Sequence, residues 1–200
     1  MQSYAIIGTG AIGGYCAVKL YQTGLDVHCL FNTDYLFVKK HGLTLITTEN
    51  QKITVPIKTY NNIDEMPGCD VILVILKTTS NIILKNILPK LVHKNTVIVV
   101  VQNGIGIEQE LAEYISPEKI IGGSCTLKIT KISSGIIQHF GFDTVDFAQY
   151  YPDDHQSGIT EPVRQLAEDF QKAGINSKPF PHLPSIRWRK LAANIPLVLA

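Results

Sequence analysis

The tightest constraint on this chain lies in its first fourteen residues. An apolar run over residues 4–7 is followed at once by Gly8-Thr9-Gly10-Ala11-Ile12-Gly13, a G-x-G-x-x-G pattern. An apolar periodicity then starts at Ile12 and runs through Cys16, Val18 and Leu20 to Gly24. The order reads as buried strand, tight turn and helix. Each glycine has its own reason. Gly8 supplies a turn closed to residues with a Cβ, Gly10 lets backbone approach a pyrophosphate, and Gly13 lets the helix pack closely on the strand. The helix N-terminus adds unpaired N–H groups and the positive end of a dipole. The motif alone is generic and could be a structural turn. With a strand before it, a helix after it and a second strand over residues 26–31, it predicts a dinucleotide site built on Gly8, Thr9, Gly10, Ala11, Ile12 and Gly13.

The rest of the chain continues the alternation. A short helix over residues 34–41 ends at Gly42, with Asp34 as its N-cap. Residues 43–47 and 53–57 read as a hairpin, and residues 61–66 as a brief helix stopped by Pro67-Gly68. Residues 70–76 and 96–101 are continuous β-branched runs, the signature of strands covered on both faces. Helices are predicted over residues 81–92 and 107–115, and another strand begins at 120–122. Residues 126–132, 136–140 and 145–148 then read as three antiparallel strands. Helices follow over residues 160–173 and from Leu183 onward. Alternating strands and helices over residues 4–123 predict a doubly wound, Rossmann-like parallel sheet with an antiparallel extension. Right-handed crossovers bring residues 8–14, 32–34, 77–80 and 102–106 to one carboxyl edge, where ligands bind.

Composition narrows the function classes. Lysine and arginine number 18 against 17 acidic residues, a net charge of +1. The densest basic patch, Arg187-Trp188-Arg189-Lys190, is too short to argue for nucleic acid and reads as a solvated helix face or as carrying a site lysine. Cys16, Cys29, Cys69 and Cys125 form no C-x-x-C, and the histidines show no ligand spacing, so no metal is expected. The N-terminal apolar run enters the glycine turn directly, unlike a signal peptide, and no run is long enough to span a membrane. The expectation is a cytoplasmic, reduced protein acting on a small molecule. The sequence stops inside an apolar helical pattern at residues 195–200, which predicts either a piece of a longer protein or a surface that packs on a partner, a homodimer being one form.

Three loops and one helix carry candidate chemistry. An acid after the second strand would take the adenine ribose of NAD, and a basic residue the 2′-phosphate of NADP. This chain has Asn32 there, which leans toward NADP, with NAD kept as the alternative. Lys77 and Asn103 each follow a core strand at the carboxyl edge, where a solvated lysine and a plain turn are the competing readings. Lys190 and Asn194 stand four apart on one helix face. The pair could act on a carbonyl, lysine giving the proton and the amide orienting the substrate. By spacing alone, a solvated stripe is the plainer reading.

Five segments together resemble the ketopantoate reductase family. They are the glycine motif, Leu76-Lys77, Gln102-Asn103-Gly104-Ile105-Gly106, the hairpin from Gly135 through His139-Phe140-Gly141, and Trp188-Arg189-Lys190-Leu191-Ala192-Ala193-Asn194. The resemblance implies a nucleotide domain over residues 1–181 and the first helix of an all-helical domain over residues 182–200. It implies NADPH-dependent reduction of ketopantoate to pantoate, on the route to pantothenate. Lys190 corresponds to the catalytic lysine. Asn103, Asn194 and Lys77 correspond to crevice residues beside substrate and nicotinamide. Two positions depart from the family: Asn32 stands where a basic residue is usual, and Val198 where a second asparagine is frequent. The alternatives are a reductase of another 2-keto acid and a module that binds NADP(H) without chemistry. Methyl transfer would leave Lys190 and Asn194 without a role.

Overall fold

The computed structural model describes residues 2–153 and 158–199, with side chains described no further than residue 193. Its centre is β1 (Ser3–Ile7), α1 (Ala11–Gln22) and β2 (Asp26–Leu30). The chain continues through α2 (Tyr35–His41), β3 (Leu43–Ile46), β4 (Lys52–Val55), β5 (Lys58–Tyr60) and β6 (Val71–Val74). A 3-10 turn over Thr78–Ile83 leads into α3 (Leu84–Leu91), β7 (Val97–Val100), α4 (Ile107–Ala112) and the long strands β8 (Ile120–Ser133) and β9 (Ile136–Gln149). α5 (Glu161–Lys172), β10 (Pro179–Phe180) and α6 (Leu183–Leu199) complete it. Among the described residues, no helix is long and apolar enough to cross a membrane.

One sheet holds all ten strands, in the order β4-β3-β9-β8-β7-β6-β1-β2-β5, with β10 beside β9. β5, β2, β1, β6, β7 and β8 are mutually parallel. Taken in chain order, the third of these lies at the edge, then the second, first, fourth, fifth and sixth. The order therefore reverses between β1 and β6, the switch point at which such sheets open a crevice. The alternation of side chains explains why both faces are covered. On β1, Tyr4 and Ile6 pack with α1 and α5, whereas Ala5 and Ile7 pack with α3 and α4 on the opposite face. β6 repeats this with Val71 and Leu73 against Ile72 and Val74.

Several elements differ from expectation. The three antiparallel strands are two: β8 and β9 are each 14 residues long and pair through register shifts at Leu127/Lys128, Lys128/Ile129 and Lys131/Ser133. Polar and glycine residues at these shifts hide the continuity, because a shift swaps which face a side chain meets. The helix expected over residues 61–66 is a single 3-10 turn, Ile63–Glu65. That expected over residues 81–92 begins as the 3-10 turn before α3. β5 has no counterpart in the sequence reading. Part of the expected loop over residues 151–158 lies outside the described residues.

Candidate active site: a glycine cradle and a lysine-lined cavity

The carboxyl edge at the switch point holds a cleft of about 630 Å³. Gly8, Thr9 and Gly10 line it from the β1 loop, Asn32, Thr33 and Asp34 from the β2 loop, and Leu76 and Ser80 from the β6 loop. The glycines divide the work as their spacing requires. Gly8 has φ +107°, and a Cβ there would stand 2.6 Å from the backbone carbon of Ile75. A Cβ on Gly13 would collide with the carbonyl oxygen of Gly8, so α1 sits tight on the loop. Gly10, by contrast, faces open space with nothing within 4 Å. That space lies at the start of α1, whose first turn closes with Gly14 N–H donating to Gly10 O at 2.9 Å. The N–H groups of the first turn therefore have no helical acceptor. Room beside Gly10 and free amides at a twelve-residue helix's N-terminus are what a pyrophosphate needs, so these residues fit a dinucleotide. Thr9 Oγ1 donates to Leu30 O at 3.0 Å and ties the cradle to β2.

The β2 loop corrects one expectation. Asp34 precedes α2, but its side chain does not cap the helix. Its Oδ2 accepts from the Gly135 amide at 3.2 Å and from Lys131 Nζ at 2.6 Å. Burial would raise this carboxyl, but the Lys131 ammonium, the Gly135 amide and the Ser134 hydroxyl outweigh it and hold Asp34 below the usual carboxylate range. Asn32 and Thr33 are exposed at the cleft.

Asn103, Gly104, Ile105, Ser124, Arg187, Lys190 and Leu191 line a second cavity of about 270 Å³. Gln102 clasps the two together: its Nε2 donates to Leu76 O and to Asn81 Oδ1, each at 2.7 Å. Leu76 belongs to the first cleft and the neighbouring Asn103 to the second. Lys190 Nζ donates to Thr126 Oγ1 at 3.2 Å, which brings the ammonium of α6 over β8. Lys77 is exposed at the end of the β6 strand, between the cleft residues Leu76 and Ser80. The side chains of Asn194 and Val198 lie outside the described residues.

Arg187 overturns the picture of a wholly solvated basic stripe. It is 7% exposed and ion-pairs with buried Glu108. It also donates to Gln102 O at 2.6 Å and Val100 O at 3.1 Å. α6 is thus bolted to the loop that carries Asn103, one turn before Lys190. Gly122 shares in this seating, since a Cβ there would collide with Leu183 at the start of α6. Lys131, Glu108 and Asn62, which lines the cleft, escaped the sequence reading. The partners of Lys131 and Glu108, Asp34 and Arg187, are remote in sequence, whereas Asn62 accepts from the Asp64 amide and caps the turn that follows it, a local role that gives no sign of the cleft.

A reversing parallel sheet and a glycine cradle define a doubly wound, Rossmann-like α/β domain whose cleft fits a dinucleotide, with a second cavity lined by Lys190 beside it. The comparisons with known proteins sharpen this class. The family model "Ketopantoate reductase PanE/ApbA" matches residues 4–151. The 2-dehydropantoate 2-reductase of Nostoc sp. is 41% identical over 196 residues, spanning 98% of this chain and 61% of that protein. The crystal structure of 2-dehydropantoate 2-reductase from Geobacter metallireducens superposes with TM-score 0.89 at 34% identity, over 97% of this chain and 63% of the other. The chain therefore belongs to the ketopantoate reductase family, and it spans about three fifths of the length of these relatives. D-Mandelate dehydrogenase, solved with NADH, has the same fold at 21% identity and TM-score 0.74.

Proposed function

We propose that this chain is the cofactor-binding part of an NADPH-dependent 2-dehydropantoate 2-reductase, which reduces ketopantoate to pantoate for pantothenate synthesis in the cytoplasm. The observation that carries the reading is the junction of the two sites. Gln102 joins the loop lining the glycine cleft to the loop bearing Asn103, and Lys190 and Asn103 line one cavity. Family membership and the 41% identical 2-dehydropantoate 2-reductase support it.

Gly8–Gly13 would hold the pyrophosphate, with Asn32 at the adenine ribose and Lys77 and Asn103 toward the nicotinamide. When bound, the reduced nicotinamide supplies the hydride. The residues of this chain do the rest. A keto acid in the Asn103–Lys190 cavity has its carbonyl oxygen beside an ammonium. Negative charge grows on that oxygen as the carbon is reduced, and Lys190 stabilises it and delivers the proton from Nζ. Asn103 and Asn194 orient the substrate by hydrogen bonds. Arg187 keeps Lys190 in register with Asn103 through Glu108 and the carbonyls of Val100 and Gln102.

The test is NADPH consumption with ketopantoate by the full-length gene product. Lys190→Ala should lower kcat by about 10²–10⁴-fold, with NADPH affinity unchanged. Unchanged kcat in that variant would overturn the role of Lys190. Val198, where the family frequently has asparagine, favours a second reading: a related enzyme for another 2-keto acid. A panel of 2-keto acids ranked by kcat/KM decides between the two.

A further inference from the structure

The adenine-ribose end of the cleft carries a charge that the β2 loop does not supply. In doubly wound sheets the residues after the second parallel strand meet the adenine ribose, and a basic residue nearby accommodates the 2′-phosphate of NADP. Here those residues are Asn32, Thr33 and Asp34, none of them basic. Among the described residues lining the cleft, Lys131 is the one cation and Asp34 the one anion. Lys131 comes from β8, far along the chain, and its Nζ stands 2.6 Å from Asp34 Oδ2. That contact fixes the ammonium at the ribose end rather than beside the glycine cradle.

Asp34 is also not free to serve NAD in the ordinary way. Its Oδ2 already accepts from Lys131 and from the Gly135 amide, Thr33 Oγ1 donates to its Oδ1 at 3.4 Å, and its side chain is 7% exposed. A carboxylate so occupied has little capacity left for a ribose diol. The Lys131 side chain, by contrast, is 35% exposed. An ammonium has three donors, of which Asp34 engages one. The others are open to a phosphate, together with the exposed Asn32 and Thr33.

We propose that Lys131 is the specificity residue of this cleft: delivered by the β8–β9 hairpin and held by Asp34, it takes the 2′-phosphate of NADPH in place of a basic residue at position 32. The inference rests on the reading of the cleft as a dinucleotide site. It predicts that the unaltered chain binds NADPH more tightly than NADH, and that added salt narrows the difference.

The experiment is a fluorescence titration of the chain with NADPH and NADH, on the unaltered protein and on Lys131→Met and Lys131→Arg. Lys131→Met should weaken NADPH by about tenfold or more while NADH stays within about twofold. Lys131→Arg should keep the preference, because the guanidinium also donates to phosphate. Near-ultraviolet circular dichroism of each variant controls for folding. Equal affinity for both nucleotides in the unaltered chain would overturn the proposal, as would equal losses for both in a folded Lys131→Met variant. Either result would leave the cleft intact as a nucleotide site. Binding of neither nucleotide to the unaltered chain would remove the cleft reading itself.

Discussion

Gly8 and Gly10 stand two residues apart and answer to different forces. Gly8 is held at φ +107° with backbone 2.6 Å from where a Cβ would lie. Gly8→Ala should cost at least about 2 kcal/mol through strain and collision, lowering Tm by about 4 °C or more. Gly10 has an extended backbone and open space, so Gly10→Ala should melt near the unaltered temperature. Its methyl group projects into the space that a pyrophosphate needs, so dinucleotide affinity should fall on the order of tenfold. Melting and titration of both variants separate fold from function. Asp34 gives the same scale a pH signature. Its folded pKa lies below its unfolded value near 3.9. Its ion pair therefore stabilises fully above that value, and the contribution is lost as pH falls through the folded pKa. Denaturant unfolding should show Asp34→Asn about 1 kcal/mol less stable at pH 7, since the Lys131 end is open to solvent, with the gap closing below about pH 4.

At the scale of elements, a buried ion pair is one of the contacts that hold α6. Arg187 and Glu108 are 7% and 4% exposed in their side chains, and they join α6 to α4. Arg187→Met leaves Glu108 buried without its partner and should cost about 3–5 kcal/mol. Arg187→Met with Glu108→Leu removes both charges and should recover much of that stability. Lys190 activity should not return in the double variant if the bond to Gln102 O sets its register. Urea unfolding and kcat of the single and double variants read the two effects apart. This pair also shows why legibility stops where it does. β1, β6 and β7 were readable because burial demands unbroken apolar runs, α1 because its glycines obey local backbone rules, and β2, which His28 interrupts, from its place after that helix. β5 is three residues, Lys58-Thr59-Tyr60, whose half-open edge position asks for no apolar run. β8 and β9 disguise their length through register shifts and through Phe142, which sits at φ +51°. Arg187 could be seen as basic, but its acid lies 79 residues away. The same holds for Lys131 on β8, whose partner Asp34 lies in the β2 loop. Lys190 was marked by its spacing from Asn194 and Asn103 by its place after a core strand, the family resemblance gave both a role, and the fold joins them in one cavity.

The whole molecule is arranged so that one ligand in the cleft would touch segments remote in sequence. The cleft draws on the ends of β1, β2 and β6 and, through Lys131, on the long hairpin. β6, β1 and β2 are neighbours in the sheet, and β8 lies two strands beyond β6. A dinucleotide held by all of them binds the folded chain and has no site in the unfolded one. Mass action then fixes the size of the effect. At a nucleotide concentration of about 100 times Kd, the folded state gains about 2.7 kcal/mol. For a chain of 200 residues that gain should raise Tm by about 5–10 °C. The rise should be greater with NADPH than with equimolar NADH. It should shrink in Gly10→Ala, where the cradle is filled, and the difference between the two nucleotides should vanish in Lys131→Met, where the cradle is untouched. A melting curve indifferent to both nucleotides would contradict the arrangement as a whole. A rise that is the same for both would confine the error to the ribose end, because the glycine cradle and the α1 N-terminus meet the same pyrophosphate in each.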